Sequence, residues 1–277
     1  SINGSPTSKI LIELFELTST DGNNLTKKYR DIENVFFVLY YLLKGEPDSF
    51  NLTIKEPETA KHFERIVPAI SMQERKQGMQ AIGKKANSNN SIAKVAFINE
   101  TTASLTVKSF DTKWLSELGD YTKWVDSAFT VLDKKHIQNL IIDLRGNEGG
   151  YSMNAFYLYS YIAEKEFKMF KASEFKTNQR LKYFGDDTCS HWFYQFTQDS
   201  NGKYIWSNDD NPWLGLQAPK KNHFQGKVYL LTNGGTFSSA AHFASLFRYY
   251  NRGVIVGEES GGNYVCNDAH GTVFLPN

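Results

Sequence analysis

Two stretches of this sequence run from an apolar, β-prone strand through a glycine loop into a helix, and that repeated order restricts the core to an α/β architecture. In the first, residues 140–144 (LIIDL) lead into Arg145-Gly146-Asn147-Glu148-Gly149-Gly150, and a helix is expected over about 152–164. In the second, residues 228–231 (VYLL) lead into Asn233-Gly234-Gly235, after which Phe243, Leu246, Phe247 and Tyr250 recur at helical spacing. A further strand begins at 254–257 (VIVG). The run 140–144 is nearly all apolar, the pattern of a strand buried on both faces of a parallel sheet. The helix before it, 121–135, sets Trp124, Val125, Ala128, Phe129 and Leu132 on one face.

The rest of the chain frames this core. Ile2-Asn3-Gly4 reads as a strand end and tight turn, and Ile10, Leu11, Leu14, Phe15 and Leu17 follow a helical pattern. Asp31 is placed to cap a second helix through Leu43, and 50–54 (FNLTI) alternates as a half-buried strand. Turn, helix and alternating strand together resemble the latter part of a PDZ-like domain, enlarged by residues 18–48; such folds bind extended peptide at a sheet edge. Residues 57–59 read as a linker, which puts the domain boundary near Glu58 and defines two units, 1–57 and 58–277. In the second unit, 62–70 reads as a connecting strand and 72–86 as a helix; 92–98 and 103–110 read as a hairpin. Residues 170–225, rich in Tyr, Trp and Asp-Asn turns, read as an irregular insertion of the kind that walls a substrate cleft.

Composition excludes several functions. The 277 residues carry 40% hydrophobic and 14% aromatic side chains, enough for a large core. A formal net charge of +1 gives no reason to expect nucleic acid as a partner. The longest apolar run, 35–43, is too short to span a bilayer, and no signal peptide opens the chain. Because the sequence starts at SINGSP and stops directly after an apolar run, both ends are expected to continue in a longer protein. Cys189 and Cys266 are the only cysteines and lack zinc-site spacing; whether they pair stays open. No metal site and no cofactor is expected, since neither glycine loop is GxGxxG or a Walker loop.

The chemistry is expected where the two glycine loops leave their strands, the position at which open α/β sheets bind ligands. Thr236, Ser238 or Ser239 falls at or near a helix N-terminus, where unpaired N–H groups and the helix dipole suit an oxygen gaining negative charge. Such residues also serve as plain helix caps. Gly149 and Gly150, opening the other helix, can offer N–H groups to an oxyanion.

Taken in order, 140–150 (LIIDLRGNEGG), 228–247 (VYLLTNGGTFSSAAHFASLF) and 253–262 (GVIVGEESGG) resemble the tail-specific or C-terminal-processing serine proteases and their tricorn-core relatives. The resemblance covers about two-thirds of the chain. It implies a ClpP/crotonase-like α/β core preceded by a PDZ-like domain, partial here. It also implies Ser238 as nucleophile, with an oxyanion hole from the backbone of Ser239 and of Gly149 or Gly150. The expected substrate is protein or peptide, and family members imply an exported, periplasmic or cell-envelope address in a bacterium, with a lipid anchor an option. One departure matters: where Ser-Lys members carry a lysine after GEP, this chain has Asn263, and Asn cannot take a proton from serine. The tricorn-like branch takes a histidine from a segment before the PDZ-like domain, which would place the base outside this sequence.

Within the sequence, His270 is the remaining alternative base, and His242, one turn after Ser238, is expected to be structural. Asp143 and Arg145 are expected to hold the Gly149 loop, and Glu258 and Glu259 to be solvated or at a helix entry. The resulting expectation is a serine peptidase. Its alternatives are a non-catalytic peptide- or ligand-binding relative and a crotonase-type thioester enzyme, against which the Thr236–Ser239 hydroxyls argue.

Overall fold

The structure is a computed structural model that describes residues 1–86, 91–171, 173–175, 196–206 and 214–263. Helices α1 (Thr7–Leu17) and α2 (Leu25–Lys44) precede a hairpin of β1 (Ser49–Lys55) and β2 (His62–Pro68), then α3 (Met72–Ala86). Next come β3 (Ala93–Phe97), β4 (Thr102–Val107), the short α4 (Thr112–Leu115), α5 (Tyr121–Lys134), β5 (Asn139–Asp143) and α6 (Ser152–Ser160). Short strands β6 (Phe167–Lys168), β7 (Glu174–Phe175), β8 (Phe196–Gln198), β9 (Tyr204–Trp206) and β10 (Leu216–Gln217) precede β11 (Lys227–Thr232), α7 (Ser238–Tyr249) and β12 (Val254–Gly257).

The central sheet has five strands in the order β12-β11-β5-β4-β3. Only β3 runs antiparallel, paired with β4; the other neighbours are parallel, as helical crossovers require. Register aligns apolar rows across the strands: Ala103, Leu140 and Val228 form one, Leu105, Ile142 and Leu230 the next. All six are buried in one cluster with Val125, Phe129 and Leu132 of α5, Phe156 and Tyr159 of α6, and Phe243 and Phe247 of α7. The opposite-facing Asn139, Ile141 and Asp143 of β5 are only partly buried, so the strand expected to be buried on both faces is fully covered on one.

A second, smaller core gathers Ile10, Leu14, Ile32, Leu39 and Tyr40, with Ile2 and Phe50 against it. The linker expected at residues 57–59 is a turn instead. Residues on either side of it pair in register from Ser49↔Pro68 to Lys55↔His62, so the chain doubles back there in a hairpin turn. The N-terminal residues extend that sheet: Ile2 bridges Leu52, and the Asn3 N–H donates to Asn51 O at 2.8 Å. Helix α2 also starts earlier than Asp31 suggested. Asn24 caps it, accepting the Lys27 N–H at 3.0 Å, and non-helical angles at Val35 break it in two. Ile32 before the break and Leu39 and Tyr40 after it pack in the small core, while the first turns bond to the loop after β12.

Candidate active site

Three hydrogen bonds stitch the two glycine loops together across nearly ninety positions of sequence. The Phe237 N–H donates to Asn147 O at 2.9 Å, the Gly146 N–H to Asn233 Oδ1 at 2.9 Å, and Thr236 Oγ1 to Leu144 O at 2.8 Å. Asn147, fully buried, also spends its side chain on the same corner: Nδ2 donates to Val107 O at 3.0 Å and Oδ1 accepts the Gly149 N–H at 2.9 Å. A third loop closes the far side, where the Gly261 N–H donates to Thr236 O at 2.9 Å.

Ser238 sits where these loops meet. It opens α7 with φ of +48°, a left-handed value that a non-glycine residue holds at a cost of about 1–3 kcal/mol and that clusters at functional sites. Its side chain is exposed, and Oγ makes no hydrogen bond among the described residues. The cap position belongs to Phe237, and no side-chain hydrogen bond caps this helix. The plain capping role therefore falls away: Thr236 is bonded to the β5 loop, Ser238 faces solvent, and the Ser239 hydroxyl is buried without a partner.

Gly149 and Ser238 touch. A Cβ on Gly149 would stand 2.6 Å from Ser238 Cβ and 3.0 Å from the Ser239 nitrogen, and Gly149 has φ of +99°. Gly150, at φ of +135°, leaves no room either, since a Cβ there would meet the Asp111 nitrogen at 2.0 Å. The two glycines differ in their amides: that of Gly149 is taken by Asn147, whereas those of Gly150 and Ser239 make no hydrogen bond to a described residue. The corner thus joins an exposed hydroxyl to unspent N–H donors at a helix start, an arrangement suited to nucleophilic attack on a carbonyl with stabilisation of the resulting oxyanion.

The other expected residues take other roles. Asp143 and Arg145 bond to each other, with Arg145 Nε 2.9 Å from Oδ1 and Nη2 2.8 Å from Oδ2. Burial raises the Asp143 pKa, but these Arg145 bonds outweigh it and leave the carboxyl below its usual range. Asp143 also accepts the Arg145 N–H at the start of the loop, and the rest of the loop is held by Asn147, Asn233 and Thr236; Thr236 was expected only at the helix N-terminus, and the clue to the other two was an Asn beside a glycine in each loop. His242 is buried, with Nε2 2.6 Å from Met169 O, and its ring packs on Phe156 and Phe170. Burial lowers its pKa, partly offset by the Met169 bond, and it serves as a core residue. Glu258 is paired with Arg30, and that bond together with the Gly234 N–H holds its carboxyl below the usual range. His270, Cys189 and Cys266 lie outside the described residues. Among the described residues no cluster of His, Cys, Asp or Glu could hold a metal ion, and no helix is long and apolar enough to cross a membrane.

Sheet order, crossover helices and the paired glycine loops define an α/β protein with a ClpP/crotonase-like core. Residues 101–271 match peptidase family S41, and the chain belongs to that family. Its fold is similar to that of mature CPAF complexed with lactacystin, at 16% identity and a TM-score of 0.62, covering 100% of this chain and 66% of that one. It is also similar to the photosystem II D1 C-terminal processing protease, at 15% identity and a TM-score of 0.39, covering 81% of this chain and 47% of that one. The tricorn protease matches at 12% identity and a TM-score of 0.30, over 76% of this chain and 15% of its own. The chain spans about half to two-thirds of the first two of these proteins. No curated protein sequence matches it.

Proposed function

We propose that this chain is a serine endopeptidase in which Ser238 is the nucleophile. Its Oγ attacks the carbonyl carbon of a peptide bond while the hydroxyl proton passes to a base. The carbonyl oxygen, now carrying the negative charge, is received by the unspent N–H groups of Ser239 and Gly150. Collapse of that intermediate breaks the C–N bond, the leaving amine takes the proton from the base, and water then releases the acyl group from Oγ. The base is a group beyond the described residues; His270 is one such group. Gly149, with its amide committed to Asn147, shapes the hole by leaving space beside Ser238. The first unit, PDZ-like in its turn, helix and strand order, holds the extended end of the substrate.

The observation that carries this reading is the exposed Ser238 hydroxyl at a left-handed backbone position, pressed against Gly149 and flanked by unbonded amides. Membership of peptidase family S41 supports the same chemistry. A fluorophosphonate probe tests it: the full-length protein is expected to be labelled at Ser238, and Ser238→Ala to abolish the label. Labelling that persists in that variant, or a wild-type protein that neither reacts nor cleaves peptide, would sink the assignment and leave a non-catalytic binding relative.

A further inference from the structure

The first turns of α2 grip the loop that follows β12. Asn24 Nδ2 donates to Ser260 O at 2.6 Å, and Thr26 Oγ1 donates to Glu259 O at 2.9 Å. Arg30 Nε donates to Glu258 Oε2 at 3.1 Å, and that same oxygen accepts the Gly234 N–H at 3.3 Å. Inside this clamp lies Lys27, whose side chain is 15% exposed. Its stem crosses Gly261, with Cδ 2.7 Å from where a Cβ would project, and its ammonium rests 4.9 Å above the Phe237 ring. Asp31 Oδ1 holds that ammonium at 2.6 Å.

Phe237 is the residue that sets Ser238 in place. Its N–H is fixed to Asn147 O, and its carbonyl accepts the Ala240 N–H at 3.0 Å, so both of its peptide groups are anchored on the β5 side and in α7. Its ring lies on the opposite, β12 side, with Cδ2 3.5 Å from where a Gly262 Cβ would stand. There Lys27 covers it, an attraction between cation and ring face that strengthens as water is excluded.

We infer that Lys27 is a positioning residue for the nucleophile: its cation, oriented by Asp31, pins the Phe237 ring and so keeps Ser238 in the left-handed conformation against Gly149. The inference rests on the proposed role of Ser238. Lys27 acts through Phe237, with its ammonium held by Asp31. A helix of the first unit thereby contributes to the site of the second.

The test uses the full chain with 4-fluorophenylalanine at position 237. Lys27→Met, which keeps the stem across Gly261 and loses the charge, is expected to shift or split the fluorine resonance. It should also slow fluorophosphonate labelling about tenfold, a modest loss of positioning on the rate scale. Lys27→Arg, still cationic and able to reach Asp31, is expected to restore both. A fluorine resonance unchanged in Lys27→Met overturns the inference whatever the labelling rate. Labelling that survives Ser238→Ala overturns the nucleophile assignment instead, and the fluorine result still decides whether Lys27 holds the ring.

Discussion

Gly149 is the residue on which the geometry of the candidate site is most exacting. Alanine there would push a methyl group to within 2.6 Å of Ser238 Cβ and would hold an unfavourable φ of +99°. We expect Gly149→Ala to lose fluorophosphonate labelling by at least about tenfold, and the left-handed backbone alone to cost about 1–2 kcal/mol, read as a lower midpoint in urea unfolding. His242 gives a second expectation at this scale. Its folded pKa lies below the ordinary value of 6.5, chiefly through burial. The unfolded chain therefore binds the proton more readily, so the stabilisation is complete above 6.5 and is lost as pH falls from there through the lower folded value. Unfolding free energy measured from pH 7.5 downward should decline over that window, and His242→Gln should flatten the decline.

Among the elements, those written in local pattern were legible and those built by distant contacts were not. Helix α5 matches its expected span because its apolar stripe has the helical period and Asp120 caps it, accepting the Thr122 and Lys123 N–H groups. Helix α3 and strands β2 and β12 were readable for the same reason. The start of α2 was hidden: its first turns, LTKKYR, are too polar to show a stripe, and Thr26 and Arg30 among them bond to residues more than 200 positions away. The left-handed Ser238 was hidden too, because its conformation depends on Gly149 and Asn147, whereas the choice of that serine came from the order of the three motifs. Two tests follow at this scale. Asn24→Ala removes the cap of α2 and its bond to Ser260, and should cost about 1–2 kcal/mol in chemical unfolding while raising hydrogen exchange over 258–262. Leu230→Ala, at the centre of β11 and fully buried, should cost about 2–5 kcal/mol by the same measurement.

The described residues of the molecule gather in two apolar clusters of unequal size, and α2, which packs in the smaller one, bonds to the loop after β12. Hydrogen exchange should separate them: amides of β5 and β11, flanked on both sides by partner strands, are expected to exchange slowest, and those of β2, exposed along its whole length, among the fastest. Equal protection of the two would mean a single cooperative body. The sequence suggested two units but drew the division inside a hairpin, since a turn of polar residues with a proline looks the same whether the chain doubles back or moves on.

Arg252 is nearly inaccessible to solvent, and its guanidinium donates to the carbonyls of Ile162, Phe224 and Gly226. The first of these lies just before the long excursion that separates α6 from β11, and the other two just after it. One side chain thus acts as a drawstring: the polypeptide departs and returns at a fixed gate. Within the excursion Phe167 and Met169 lie in the main core, so changes that spare those two residues should leave the strand that follows entering the sheet at an unaltered height, which makes them the natural way to graft a different preference onto an unchanged scaffold.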